Sequence, residues 1–253
     1  MELIVLGAHG TWPAAGGATS GHLVRHDGHG VLLDLGSGTV ANLQRHGGLF
    51  DVDAVVISHS HPDHVTDLYT YYMARRFSPQ CPPPIPLYLA PKVLDRVEPL
   101  LSDDSGDMKL AHAFDIHVLD PGAGVEVGPL SIRTEEMAHS VPTIGVRVEA
   151  GGAALAYTAD TGPTGAATRM ARDVDLLVAE ATWQEDGDDD RPPIHLTGKE
   201  AGELARDAGA GRLVLTHIRP YLDRDLTREE AAGAFDGEIL LAEEGLRLEV
   251  GGR

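Results

Sequence analysis

Three imidazoles and a carboxylate crowd into six consecutive positions, His59-Ser60-His61-Pro62-Asp63-His64. Neutral imidazole and carboxylate are ligands for zinc-type divalent cations, so a set this dense reads as part of a metal site rather than a polar turn. The cluster follows Ala54-Val55-Val56-Ile57, an apolar run with the composition and length of a buried strand. Extended backbone at His59 and His61 would put both rings on one face. Pro62 then turns the chain, and Asp63 and His64 open a helix, where a carboxylate also suits the N-terminal dipole. Six neighbouring positions cannot close a metal site alone. Three further residues stand at the ends of strand-like runs: His139 after 130–137, Asp160 after 154–159 and His217 after 213–216. Loops at strand ends are where α/β scaffolds present ligands. Each of the three, taken singly, reads as a turn or hydrogen-bonded residue; together they read as distant ligands.

The elements that would position these side chains follow from pattern and punctuation. Strands are expected at 2–6, 21–26, 30–35, 54–57 and 85–90, with a helix from His64 to about Phe77 stopped by Pro82-Pro83-Pro84. Residues 91–101 read as a helix with proline at its first position. From 114 to 157 the pattern is nearly all short alternating runs. A buried strand at 176–180, a helix at 197–208, a strand at 212–216, a helix around 227–235 and two short strands complete the chain. No repeat or linker stands out, so one domain covering 1–253 is expected. The polar segments 102–107 and 185–190 are candidate lids.

The 253 residues are 42% hydrophobic, enough for a substantial core. The single cysteine, Cys81, excludes an intramolecular disulfide and reads as a partly buried small residue. No apolar run is long enough for a membrane helix and the start lacks a basic leader, so no membrane association and a cytoplasmic location are expected. A net charge of -19 repels a phosphate backbone at long range, which favours a small substrate over a long nucleic acid. Trp12, in the Gly-rich loop 7–13, is expected to pack in the core, with stacking on a base or aryl group as the alternative. His22 is expected at the surface or hydrogen-bonded, and Arg75 at a helix end or touching a phosphate.

His-Ser-His-Pro-Asp-His, then His139, then Thr158-Ala159-Asp160-Thr161-Gly162-Pro163, then Leu215-Thr216-His217 resemble the metallo-β-lactamase superfamily in type and order. The resemblance spans residues 2 to about 220. It implies an α/β (α+β) fold, a four-layer αββα sandwich, with two divalent metal ions. One ion would take His59, His61 and His139 and the other Asp63, His64 and His217, with Asp160 and a water bridging them. Such a pair lowers the pKa of the shared water to about 7 and clamps the developing oxyanion. Asp63 would also orient the nucleophile. Zinc is the first expectation, and the same ligands admit manganese or iron.

The C-terminal third narrows the branch. Ala179-Glu180-Ala181-Thr182 is similar to the ribonuclease Z stretch His-Glu-Ala-Thr, and His195-Leu196-Thr197 to its His-Ser-Thr. The resemblance implies that His195 is the general acid for the leaving alkoxide and that Glu180 orients it. Ala179 and Leu196 depart from the family pattern, and the basic Gly-rich arm of long ribonuclease Z enzymes has no counterpart. The acidic run 185–190 before His195 also disfavours a polyanion. The expected function is therefore hydrolysis of a small phosphodiester such as a cyclic nucleotide by a metal-bridging hydroxide; relatives in this branch suggest a homodimer. Alternatives are a ribonuclease Z-like tRNA 3′ endonuclease, a lactonase, thioesterase or arylsulfatase on the same metals, and an inactive binding module.

Overall fold

The computed structural model describes residues 1–101, 108–185 and 192–251. Their elements are β1 (Glu2–Gly7), β2 (Gly21–His26), β3 (His29–Leu33), α1 (Thr39–His46), β4 (Ala54–Ile57), α2 (Pro62–Phe77), β5 (Ile85–Leu89) and α3 (Val93–Val97). Then come β6 (Phe114–Val118), β7 (Gly124–Val127), β8 (Leu130–Glu136), β9 (Ile144–Ala150), β10 (Ala153–Tyr157), α4 (Gly165–Met170) and β11 (Leu176–Glu180). The chain finishes with α5 (Gly198–Ala208), β12 (Arg212–Thr216), α6 (Arg224–Ala232), β13 (Glu238–Leu241) and β14 (Arg247–Glu249).

Two seven-stranded mixed sheets form, in the orders β14-β1-β2-β3-β4-β5-β6 and β13-β12-β11-β10-β9-β8-β7. Strands β3 to β6 run parallel, as do β10 to β13, while hairpins supply the antiparallel halves. Alternation along β11 shows the layering. Leu176 and Val178 enter the core shared with the first sheet, whereas Leu177 and Ala179 pack with Ala167 of α4, Leu204 of α5 and Ala231 of α6. On the other side Leu68, Tyr71 and Tyr72 of α2 join the core around the first sheet. The result is the four-layer αββα sandwich. Every residue of β4 is buried, as a central parallel strand covered on both faces requires.

Several local expectations need correction. Helix α2 begins at Pro62, with His61 as its N-cap, so the proline opens the helix instead of preceding it. Lys92 adopts a left-handed φ of 66°, which keeps Pro91 outside α3, and the helix tightens to a 3-10 turn at Glu98–Leu101. Helix α4 was not expected: six residues are too few to show a period. Trp12 is 47% exposed, not packed in the core. Cys81 is exposed at a left-handed φ of 37°, not partly buried. Arg75 is buried among Tyr71, Phe114 and the carbonyl of Ala113, with no phosphate role. His22 is fully buried against the Tyr157 ring, neither nitrogen finds a partner among the described residues, and burial pushes its pKa down to about 4. Segments 102–107 and 186–190 lie outside the described residues.

Candidate metal centre

The C-terminal ends of five parallel strands converge, and each delivers a polar side chain: Asp34 after β3, His59 and His61 after β4, Asp160 after β10, Glu180 closing β11 and His217 after β12. Ligand sites fall at such strand ends because the chain there leaves the sheet with its backbone otherwise satisfied. His139 arrives from the loop after β8, and Asp63 and His64 from the first turn of α2. All seven residues expected as ligands lie in this one place. His59, His61, His139 and Asp160 offer ligand atoms within 4.8 Å of one another, as do Asp63, His64 and His217.

Asp160 stands between the two groups. Its Oδ2 lies 3.6 Å from His59 Nε2 and 3.7 Å from His139 Nε2. Its Oδ1 lies 3.1 Å from His64 Nε2 and 3.4 Å from His217 Nε2. Asp63 Oδ2 closes the second group 3.1 Å from His217 Nε2 and accepts the Thr11 backbone N–H at 2.7 Å.

The outer hydrogen bonds assign the tautomers, and these test whether a cation fits. His64 Nδ1 donates to Asp34 Oδ2 at 2.8 Å, so its Nε2 is the nitrogen turned inward. His139 Nδ1 donates to the Ile194 carbonyl at 2.9 Å, which bares its Nε2 likewise. The Thr182 hydroxyl gives its proton to Glu180 Oε2 at 2.6 Å and so accepts from His217 Nδ1 at 2.7 Å. Ser58 Oγ donates to Asp34 Oδ2 at 2.8 Å and so accepts from His59 Nδ1 at 3.0 Å. Four inner Nε2 atoms therefore face one another: His64 and His217 meet at 3.1 Å, and His59 Nε2 is buried without a hydrogen-bond partner among the described residues. Imidazole nitrogens converging on one buried carboxylate, their other nitrogens held from outside, form a donor set that fits a shared cation.

Electrostatics agree. Burial holds the pKa of His59, His61 and His139 below the ordinary imidazole value, keeping them neutral as ligands must be. Burial would lower His64 too, but the carboxylates of Asp160, Asp34 and Asp63 outweigh it and raise its pKa well above 6.5. A proton there offsets negative charge that a divalent ion would offset better.

The partners behind the ligands were not legible beforehand. Asp34 accepts from Ser58 N at 2.7 Å and from Tyr157 Oη at 2.8 Å besides His64 and Ser58 Oγ. The only hint was its place at the start of the loop Asp34-Leu35-Gly36-Ser37-Gly38. Thr182 sits inside the Glu-Ala-Thr run already singled out. Asp34, Ala159 and His217 hold left-handed φ values of 61°, 53° and 56°, backbone strain gathered at one site. Gly10 belongs to the same wall: a Cβ there would lie 2.4 Å from the His217 carbonyl oxygen.

His195 occupies the far side. Its Nδ1 donates to Glu180 Oε1 at 2.8 Å, and Glu180, fully buried, also accepts from Thr161 N at 2.7 Å. Burial lowers the His195 pKa, but the Glu180 carboxylate outweighs this and the net shift is upward. Neighbouring histidines are thus driven in opposite directions, three to stay bare and this one to hold a proton. His195 also lies within ligand range of Asp160 and His217.

Residues 29–218 match the beta-lactamase superfamily domain. The chain belongs to that family, and its fold and donor set define it as a metallo-hydrolase. It is 30% identical to the probable metallo-hydrolase YhfI of Bacillus subtilis, covering 97% of this chain and 98% of that one. The crystal structure of YhfI superposes with a TM-score of 0.87 at 28% identity, over 98% of this chain and 99% of that chain. It is also 30% identical to the ribonuclease Z of Halorubrum lacusprofundi, covering 99% of this chain and 97% of that one. That alignment spans 302 positions against 253 residues here, so the relative carries insertions this chain lacks. Among the described residues no helix is long and apolar enough to cross a membrane.

Proposed function

We propose that the protein is a phosphodiesterase acting on a small phosphodiester, a cyclic nucleotide being the best candidate, with two divalent ions and His195 as general acid. The observation that carries this reading is the set of four inward-facing Nε2 atoms around Asp160, with His195 held by Glu180 beside it. His59, His61 and His139 would hold one ion, Asp63, His64 and His217 the other, and Asp160 both. Bound there, two divalent ions would lower the pKa of a water they share and offset charge on phosphoryl oxygens. Asp63, braced by the Thr11 amide, would orient the attacking group. His195, tied through Nδ1 to Glu180, leaves Nε2 as the atom that delivers a proton to the leaving alkoxide. Raising its pKa keeps that proton available at neutral pH.

The charge of -19 and the missing insertions favour a small ester over tRNA. A cytoplasmic setting and a homodimer are part of the same reading. Protein reconstituted with zinc or manganese would be offered cyclic AMP, bis-p-nitrophenyl phosphate, pre-tRNA, a lactone and a thioester. Cleavage of the small phosphodiesters supports the proposal. Cleavage of pre-tRNA alone, or of the carboxylic esters alone, overturns it. His195→Ala should slow alkoxide-leaving substrates by ~10²–10⁴ while metal content is kept.

A further inference from the structure

Two aromatic side chains stand in solvent beside the metal centre. Trp12 is 47% exposed and Tyr221 63% exposed, yet their rings stack on each other with centroids 5.7 Å apart and planes 25° from parallel. Both are tethered to the site. Thr11, next to Trp12, holds Asp63 through its backbone N–H, and the Gly10 backbone N–H donates to the Ile218 carbonyl at 3.2 Å. Tyr221 lies four positions beyond His217 and its hydroxyl accepts from Arg219 Nη1 at 3.0 Å. Arg219 in turn lies over the Trp183 ring, 3.9 Å from its centroid, and Trp183 meets His195 edge-on at 5.7 Å. A continuous rim thus runs from the aromatic pair through a guanidinium to the general acid.

Neither packing nor charge pairing accounts for this rim. Core burial would stabilise a tryptophan more than exposure does, so a half-exposed Trp stacked on an exposed Tyr gains little from folding. Arg219 has no carboxylate partner among the described residues, and its Nε finds no acceptor, in a chain whose acidic residues outnumber its basic ones by 39 to 20. An unpaired guanidinium beside a stacked aromatic pair suits a ligand that carries both an anion and a planar ring.

We propose that Trp12 and Tyr221 form a stacking platform for a planar aromatic group of the substrate, a nucleobase, and that Arg219 pairs with the phosphate attached to it. This rests on the phosphodiester reading for the identity of the anion, while the platform itself is read from the rim. Selectivity then comes from the base rather than from the ester bond. A nucleotide binds as one piece, base on the rim and phosphate toward the metals.

The test uses the full chain loaded with zinc and two product-like ligands, adenosine 5′-monophosphate and ribose 5-phosphate, with affinities from calorimetry. Adenosine monophosphate should bind roughly 5- to 150-fold more tightly, the range stacking on an aromatic side chain provides. Trp12→Ala and Tyr221→Ala should each shrink that preference with zinc content unchanged, and Arg219→Ala should weaken both ligands together. Trp12→Phe should reduce ligand-induced fluorescence quenching to whatever Trp183 contributes, while keeping most of the preference. Equal binding of the two ligands, no measurable binding of adenosine monophosphate, or a preference that survives both alanine variants overturns the proposal. A protein that keeps the preference yet cleaves no phosphodiester removes the function proposed above and leaves the rim standing. One that cleaves cyclic AMP without any preference for the base does the reverse.

Discussion

Replacing Glu180 by Gln changes one atom of a fully buried group and should move the pH profile of the reaction. The carboxylate now takes His195 Nδ1 at 2.8 Å and Thr161 N at 2.7 Å on one oxygen, and Thr182 Oγ1 at 2.6 Å on the other. The glutamine amide can turn its NH2 toward Thr182 Oγ1, whose proton then turns to the His217 carbonyl at 3.3 Å; only the long bond from Thr182 N at 3.3 Å is given up, so most of the scaffold is preserved while the charge is lost. Charge assistance in a hydrogen bond is worth about 1–1.5 kcal/mol over a neutral one, a lower bound of about one pKa unit. A full Coulombic partner about 4 Å away at an effective dielectric of about 20 is worth about 4 kcal/mol, an upper bound of about three units. The His195 pKa is raised in the native protein, so the acid form survives to higher pH than a free histidine and the rate falls only above that raised value. In Glu180→Gln the fall should begin one to three units lower. The assay is kcat/KM against pH on cyclic AMP, whose leaving group is an alkoxide, with bis-p-nitrophenyl phosphate as control because its phenolate needs no proton. A basic limb that stays in place on cyclic AMP with zinc content intact refutes the assignment of Glu180 and His195. An equal shift on both substrates would refute it as well.

Other perturbations probe the supports of the site. Asp34→Asn strips the carboxylate that holds His64 Nδ1, Ser58 and Tyr157, and should weaken zinc binding 10- to 100-fold in a chelator competition. Unchanged affinity would show that Asp34 does not set the His64 ring. Gly10→Ala places a methyl 2.4 Å from the His217 carbonyl oxygen; the loop must move, and both zinc content and cyclic AMP turnover should drop. Because His64 has a raised pKa, the metal-free site carries a proton near neutral pH that an incoming cation must displace. Zinc affinity should therefore climb with pH through the neutral range, and calorimetry in buffers of different ionisation enthalpy should detect proton release. No release at pH 7 would contradict the raised pKa.

How much of this was legible depended on whether the signal was local. His59, His61, Asp63 and His64 announce themselves by density, and His139, Asp160 and His217 by their places after apolar runs; the structure brings all seven together. The two sheets and α2 followed from period and proline punctuation. Asp34 was invisible because its role depends on Ser58, His64 and Tyr157 arriving from three other elements. Trp12 was misread since an indole's default is burial, and its actual partner, the exposed Tyr221 ring, is a tertiary contact. His22 was misjudged for the converse reason: on paired strands its neighbours leave both ring nitrogens without a hydrogen-bond partner among the described residues. Short α4 and the broken start of α3 turn on one-residue conformations, such as Lys92 in the left-handed region, that composition does not encode.

A crystal of zinc-reconstituted protein measured at the zinc absorption edge tests the central claim most directly. The account predicts two anomalous peaks about 3.5–4 Å apart, a spacing usual for two-metal sites, one against His59, His61 and His139 and one against Asp63, His64 and His217, with Asp160 touching both. A map without peaks at those side chains, or with zinc held elsewhere, would contradict it.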